Sequence, residues 1–122
     1  MVNRPIEVFN LFRQSMLSKT NDWMNLISED ISLIGPLAEV NGRESFIEVN
    51  KPFFESIRGG EVYKIIESEN YVITQILTNV EAPTGKIISL KICEWYEVEE
   101  NKIISLKVYF DTTELINEMK AV

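Results

Sequence analysis

A six-residue segment, Lys-Ile-Ile-Ser-Leu-Lys, occurs twice near the carboxyl end of this chain, at residues 86–91 and again at 102–107. A solenoid of stacked repeats needs at least three units of roughly 20 residues or more, so two short copies do not make a repeat protein. They are better explained as two strands of one antiparallel pair with similar surroundings, joined by a turn centred on Glu100 and Asn101. The repeat therefore predicts a β-hairpin.

The hairpin ends a longer run of strand-like sequence. Alternating or β-branched residues fill most of the chain from residue 61 to residue 110, and turn-forming segments interrupt them at 68–70 and 82–85. The pattern predicts a four-stranded antiparallel meander, with strands at residues 62–67, 71–80, 87–98 and 103–110.

Helical spacing dominates the start of the chain. Asn3 is a candidate N-cap and Pro5 suits the first turn that follows it. Apolar residues at spacings of three and four then predict a buried helical face as far as about Ser18. A shorter second helix is expected to carry Trp23 and to extend to residue 27.

A short strand is predicted at residues 31–34, stopped by the Gly-Pro pair at 35–36. A further helix is predicted from Arg43 to residue 57, kinked or divided at Pro52 and ended by the glycines at 59–60. Helices followed by a long antiparallel sheet indicate an α+β fold in which the curved sheet wraps over the amino-terminal helices as a cone. Such a cone commonly leaves an apolar pocket between the concave sheet face and the helices.

Composition excludes several classes of function. The chain has 122 residues, which fits a single domain spanning residues 1–122. A net charge of −7 without a basic cluster argues against nucleic acid, and no apolar run is long enough to span a membrane. Nothing near the amino terminus resembles a secretion signal, so a cytoplasmic location is expected. A single cysteine and no histidine leave no evident metal site, and no cofactor is implied.

The order of motifs resembles that of SnoaL-like polyketide cyclases. The chain reads Pro-Thr-Gly-Lys at 83–86, Glu-Glu-Asn-Lys-Ile at 99–103, then Asp111 and Leu-Ile-Asn-Glu-Met at 115–119. The earlier half, with Trp23 and Asn-Gly-Arg at 41–43, resembles the wider nuclear-transport-factor-2-like superfamily, which includes ketosteroid isomerase. The resemblance implies a cystatin-like α+β barrel, a pocket on the concave face, and a homodimer formed through the outer face of the sheet.

The acid–base residues of these relatives have no counterparts at the aligned positions. The isomerase base aligns with Gly35, its helix tyrosine with Leu11 and its protonated acid with Cys93. The His-Trp-Asp stretch of the cyclases aligns with Leu-Lys-Val at residues 106–108. The resemblance therefore implies a small-molecule-binding domain, for a small apolar or aromatic ligand, that lacks the catalytic set of its relatives.

Strand alternation selects the pocket residues. If the turn centres on Glu100 and Asn101, Cys93 opposes Val108 and Trp95 opposes Leu106. One face then carries the predicted pocket residues, with Trp23 added from the second helix: Trp23, Lys91, Cys93, Trp95, Leu106, Val108 and Phe110. Glu97 shares this face, while a one-residue slip of register would exchange some of these partners.

Each polar candidate also has a structural interpretation. Cys93 suits packing, Lys91 could extend to solvent, and Glu97 lies near the turn. Asp111 is the catalytic candidate at the matching family position, but an aspartate between a strand and the terminal helix is also a helix cap, and the cap is the favoured interpretation.

Two alternatives to a non-catalytic binding protein remain open. An isomerase or cyclase that removes a proton next to a carbonyl would need Asp111, Glu94 or Tyr96 in the cavity. A module that binds a partner protein would use an apolar patch of Ile92, Tyr96 and Tyr109 on the other sheet face.

Overall fold

The computed structural model describes residues 3–121 of the chain. Its helices are α1 (Pro5–Leu17), α2 (Arg43–Glu55) and α3 (Thr113–Lys120), and a single 3-10 turn spans Asp22–Asn25. Its strands are β1 (Ile27–Ile34), β2 (Glu39–Asn41), β3 (Ile57–Ser68), β4 (Tyr71–Glu81), β5 (Ile87–Glu99) and β6 (Lys102–Tyr109). In this part of the chain, no helix is long and apolar enough to cross a bilayer.

One curved, unclosed sheet contains all six strands in the order β2-β1-β6-β5-β4-β3. The predicted meander is confirmed, because β3, β4, β5 and β6 pair antiparallel in succession. The predicted α+β class is also confirmed. The sheet is mixed, however, since β1 adds to the free edge of β6 in the parallel sense.

The helices cover the concave face of the sheet and create the core there. From α1 the buried side chains include Phe9, Phe12 and Met16, and α2 contributes Phe46 and Phe54. This core gives the concave face its apolar character and excludes most water from it.

Two short segments differ from the sequence-based expectation. The second helix is only a 3-10 turn, because Ile27 pairs with Ile103 and so begins β1 instead of continuing a helix. The amide of Ile103 donates to the carbonyl of Leu26, which fixes the end of the turn against β6. Helix α2 is also shorter than predicted. It ends at Glu55, it contains Pro52 without being divided there, and residues 57–60 belong to β3.

Carboxylates, and not Asn3, satisfy the first amides of α1. The N-cap residue is Arg4, whose amide donates to Glu7 at 2.8 Å, and the amide of Ile6 donates to Glu67 of β3 at 3.0 Å. The Arg4 guanidinium pairs with the same Glu67 carboxylate and lowers the pKa of that carboxyl. The predicted cap was therefore one residue early, and the helix start is tied to the edge strand.

A β-bulge in the last hairpin changes the register on which the pocket prediction depended. The turn lies where expected, since Glu100 and Asn101 both have positive φ and Glu99 pairs with Lys102. Val98 pairs with Ile103, but Glu97 pairs with Ser105, so β6 contains one extra residue at this point. Beyond the bulge every predicted pair was wrong by one residue. Cys93 faces Tyr109, Trp95 faces Lys107 and Tyr96 faces Leu106.

Candidate functional site

A cavity of about 170 Å³ opens between the concave face of β5 and β6, helices α1 and α2, and the loop at residues 35–38. Its wall is predominantly apolar and consists of Phe12, Met16, Leu33, Gly35, Pro36, Leu37, Ala38, Val49, Asn50, Phe53, Phe54, Ile92, Glu94, Tyr96, Leu106, Val108 and Phe110. None of these lining residues is basic.

The cavity wall contains one buried carboxyl group, that of Glu94. Glu94 of β5 has only 8% of its surface exposed, although it lies among apolar side chains of the concave face. Directly opposite it on β4, Thr74 is also buried, and its hydroxyl donates to Glu94 Oε1 at 2.9 Å. This hydrogen bond and a second one with the Tyr96 hydroxyl fix the carboxyl orientation.

Tyr96 lies two residues further along β5 and therefore points to the same side of the sheet as Glu94. Its ring packs edge-on against Phe9 and Phe12, with centroid distances of 5.0 and 5.9 Å. These contacts hold the phenol in place beside the carboxyl.

Burial changes the acid–base properties of both groups. Desolvation raises the pKa of Glu94, and the Thr74 and Tyr96 hydroxyls and the Arg13 charge only partly oppose that effect. Desolvation and the nearby Glu94 raise the pKa of Tyr96 well above 10. Tyr96 therefore keeps its proton, and the raised pKa of Glu94 favours the protonated form of its carboxyl.

The family model for the SnoaL-like domain matches residues 11–106 of this chain. The chain belongs to the SnoaL-like domain family. No curated protein sequence matches it significantly.

Solved structures show the same fold at low sequence identity. A Kribbella flavida protein superposes with a TM-score of 0.84 at 17% identity, covering 94% of this chain and 93% of that one. A protein provisionally assigned as a SnoaL-like polyketide cyclase from Jannaschia sp. CCS1 gives 0.80 at 14% identity over 97% and 92% of the chains. One provisionally assigned as an isomerase from Rhodopseudomonas palustris gives 0.80 at 15% identity over the full length of both.

In this SnoaL-like domain the seven predicted pocket residues fall into three groups. Leu106, Val108 and Phe110 line the cavity. Trp23 is buried behind the cavity wall, where its ring packs 4.9 Å from that of Phe54.

The other three predicted residues, Lys91, Cys93 and Trp95, do not line the cavity. They lie on the face of the sheet turned away from α1 and α2, called the outer face below. The bulge is the physical reason, because it brings the opposite set of β5 residues onto the same face as Leu106 and Val108. Glu97 shares the outer face, where its carboxylate accepts a hydrogen bond from Asn70.

Asp111 is exposed and does not line the cavity. Its Oδ1 accepts the amide of Thr113 at 2.9 Å, and this hydrogen bond lowers the pKa of the carboxyl. Asp111 thus satisfies a free amide at the start of α3, as the capping interpretation expected, although the N-cap residue itself is Thr112.

The three residues of the predicted partner-binding patch do not lie together on the surface. Ile92 and Tyr96 are 5% and 2% exposed and lie in the core, while Tyr109 is 54% exposed on the outer face. Glu94 and Tyr96, which the isomerase or cyclase alternative needed in the cavity, do line it, because the bulge shifts the register by one residue. Asn50, a further polar residue of the cavity wall, is absent from the sequence-based prediction.

The raised pKa of Glu94 predicts a pH-dependent stability difference between the protein and its Glu94→Gln variant. A carboxyl whose pKa is raised by folding binds its proton more tightly in the folded state, so the free energy of unfolding falls as pH rises above the ordinary value of 4.5. The loss stops once pH exceeds the folded-state pKa. Glutamine does not titrate, so the variant should gain stability relative to the parent throughout that window.

Urea denaturation of both proteins from pH 4 to pH 9 would measure this difference, with the other carboxyl groups common to both. Only well below pH 4.5 should the difference become constant, because Glu94 is then protonated in both folded and unfolded chains. A difference that moved in favour of the parent as pH rose would mean that the fold stabilises the carboxylate.

Proposed function

We propose that this SnoaL-like domain binds a compact, neutral, mostly apolar small molecule that has a carbonyl oxygen. The observation that carries the proposal is the apolar cavity with one buried carboxyl in its wall. A protonated Glu94 can donate a hydrogen bond to such an oxygen, and the Tyr96 hydroxyl, which bonds Glu94 in the free protein, can turn to the ligand as a second donor. With no basic side chain in the described wall, a buried anionic ligand would lack a partner for its charge.

The volume of the cavity suits a ligand with a single ring. A cavity of about 150 Å³ engineered into another protein admits benzene, and this one measures about 170 Å³. A larger molecule would extend through the mouth, past Leu37 and Val49, which are 46% and 38% exposed.

Filling the cavity tests the binding proposal. Val108→Trp places an indole where the ligand would lie, so the affinity for acetophenone, followed by ligand-observed NMR, should fall at least tenfold. Tyr109→Trp is the matched control, because the neighbouring residue on β6 points to the outer face and should leave binding unchanged. A thermal melt establishes that both variants are folded. Equal affinities of the parent and of Val108→Trp for acetophenone would refute the cavity as the binding site.

A second candidate function is an isomerase that moves a proton next to a carbonyl, favoured by the raised pKa of Glu94 inside the cavity. In this reaction Glu94 removes a proton from the carbon between a carbonyl and a C=C bond, and Tyr96 donates to the developing enolate oxygen. Glu94 then returns the proton to the far carbon of the former double bond, and the double bond moves into conjugation. Substrate and product have the same composition, so no co-reactant is needed. The test is the loss of isomerisation on replacing Glu94.

We also propose that the protein forms a homodimer through the outer face. Trp95 and Tyr109 are 42% and 54% exposed there on adjacent strands, and Tyr71 packs edge-on against Trp95. Sedimentation at micromolar concentration should give a dimer that Trp95→Lys converts to a monomer, whereas Leu11→Lys, an exposed apolar position on α1, should not. A monomeric parent protein would refute the dimer.

A further inference from the structure

Helix α2 forms the wall of the cavity that lies across from the sheet. Four of its residues line the space, namely Val49, Asn50, Phe53 and Phe54. Successive members of this set are one, three and one residues apart in the sequence, so they lie on one face of the helix. Asn50 is the polar member of this set, so it is the point at which α2 can form a hydrogen bond with a ligand.

The orientation of the Asn50 amide follows from its hydrogen bond within the helix. Its Nδ2 donates to the carbonyl of Phe46 at 2.9 Å, one turn earlier, and Phe46 is fully buried. The reverse orientation would set the amide oxygen against a carbonyl oxygen, so the nitrogen is fixed on the Phe46 side. The oxygen Oδ1 is consequently the group left for other partners.

Asn50 Oδ1 has no donor within the described chain. No hydrogen bond to it forms among residues 3–121, and the fully buried side-chain polar atom without a partner in that range is Ser28 Oγ. Asn50 Oδ1 is thus not sealed in the protein but accessible to water or ligand. An acceptor that is fixed in orientation, beside an apolar cavity, favours a ligand that brings a donor to it.

We infer that Asn50 determines ligand specificity by accepting a hydrogen bond from a hydroxyl or amino group of the ligand, across the cavity from the carbonyl at Glu94 and Tyr96. This inference rests on the proposed binding function and narrows its ligand class. The ligand is a single-ring carbonyl compound with a hydrogen-bond donor at the end opposite the carbonyl. A ligand without the donor removes water from Asn50 Oδ1 without replacing its hydrogen bond, which weakens binding.

Three probes of similar shape test the inference. All three have the acetophenone carbonyl, and they differ at the para position: 4-hydroxyacetophenone has a donor, 4-methoxyacetophenone has an oxygen that cannot donate, and acetophenone has neither. Their affinities would be measured by titration calorimetry or NMR below the pH at which the phenol ionises. The parent protein should prefer the hydroxyl compound by about fivefold to tenfold over the other two.

Asn50→Leu should remove this preference, because leucine has a similar size but no acceptor. Lys51→Leu is the matched control, since it changes the next residue on the exposed side of α2 and should preserve the preference. A structural role alone would lower the affinity for all three probes equally.

The outcomes separate the inference from the function on which it rests. If the parent binds the three probes equally, or if Asn50→Leu keeps the preference, the role of Asn50 is refuted while the binding function stands. If the parent binds none of them, the proposed binding function is refuted together with the inference.

Discussion

Replacing Gly60 with alanine is expected to reduce the free energy of unfolding by about 3 kcal/mol, through overlap within the sheet. Gly60 has φ of +159° in β3 and pairs with Thr78 of β4, next to an irregularity in the register. A Cβ atom there would overlap the carbonyl oxygen of Leu77 and lie 3.2 Å from the Cα of Thr78. Because both neighbours are backbone atoms of a central strand, they cannot move aside as a flexible side chain could.

Gly59→Ala is the matched control for this prediction. Gly59 also has positive φ, +105°, but a Cβ atom there has no neighbour within 4 Å. Alanine at this position causes only backbone strain, about 1 kcal/mol. Urea denaturation should therefore separate the two variants by about 2 kcal/mol. Equal losses would mean that β4 relaxes around the new methyl group.

The hairpin shows how far the sequence could predict the fold. The repeated Lys-Ile-Ile-Ser-Leu-Lys located both strands and their turn correctly. It could not locate the bulge, since the extra residue on β6 has no turn signal of its own. Side chains alternate between the two sheet faces, so one extra residue moved every partner on one strand to the other face.

A signal for the correct register was nevertheless present in β5. The set Leu90, Ile92, Glu94, Tyr96 and Val98 contains one charged residue, whereas the alternate set of Lys91, Cys93, Trp95 and Glu97 contains two. For this set to share the core with Leu106 and Val108, the strands must shift by one residue, which requires a bulge. Comparing the apolar content of both faces on both strands would have found it.

The prediction of a second helix was wrong for a different reason. Trp23, Leu26 and Ile27 fit helical spacing, but three apolar residues cannot distinguish a helix from a turn that leads into a strand. Pairing with β6 decided the outcome, and that pairing is parallel and distant along the chain. Tertiary contacts of this kind are not visible in local sequence.

Replacing Glu94, whose carboxyl lines the cavity, is expected to have the largest effect on function. On the isomerase proposal, with cyclohex-3-enone as substrate, Glu94→Gln should lower kcat for conversion to cyclohex-2-enone by about 10²- to 10⁴-fold, the usual contribution of a general acid–base group. Product absorbance follows the reaction directly. The dissociation constant for cyclohexanone, which cannot isomerise in this way, should change little, because the glutamine oxygen can still accept the Thr74 hydroxyl and its amide can still donate.

A fall in kcat with unchanged binding would identify proton transfer by Glu94, because removing a group that only held the ligand would weaken binding as well. Glu97→Gln is the matched control, since it removes a carboxyl from the same strand but from the outer face, and it should leave kcat unchanged. Full activity in Glu94→Gln would refute the isomerase candidate. Among the residues that line the cavity, Glu94 is the carboxyl, so the base for this reaction would come from this position.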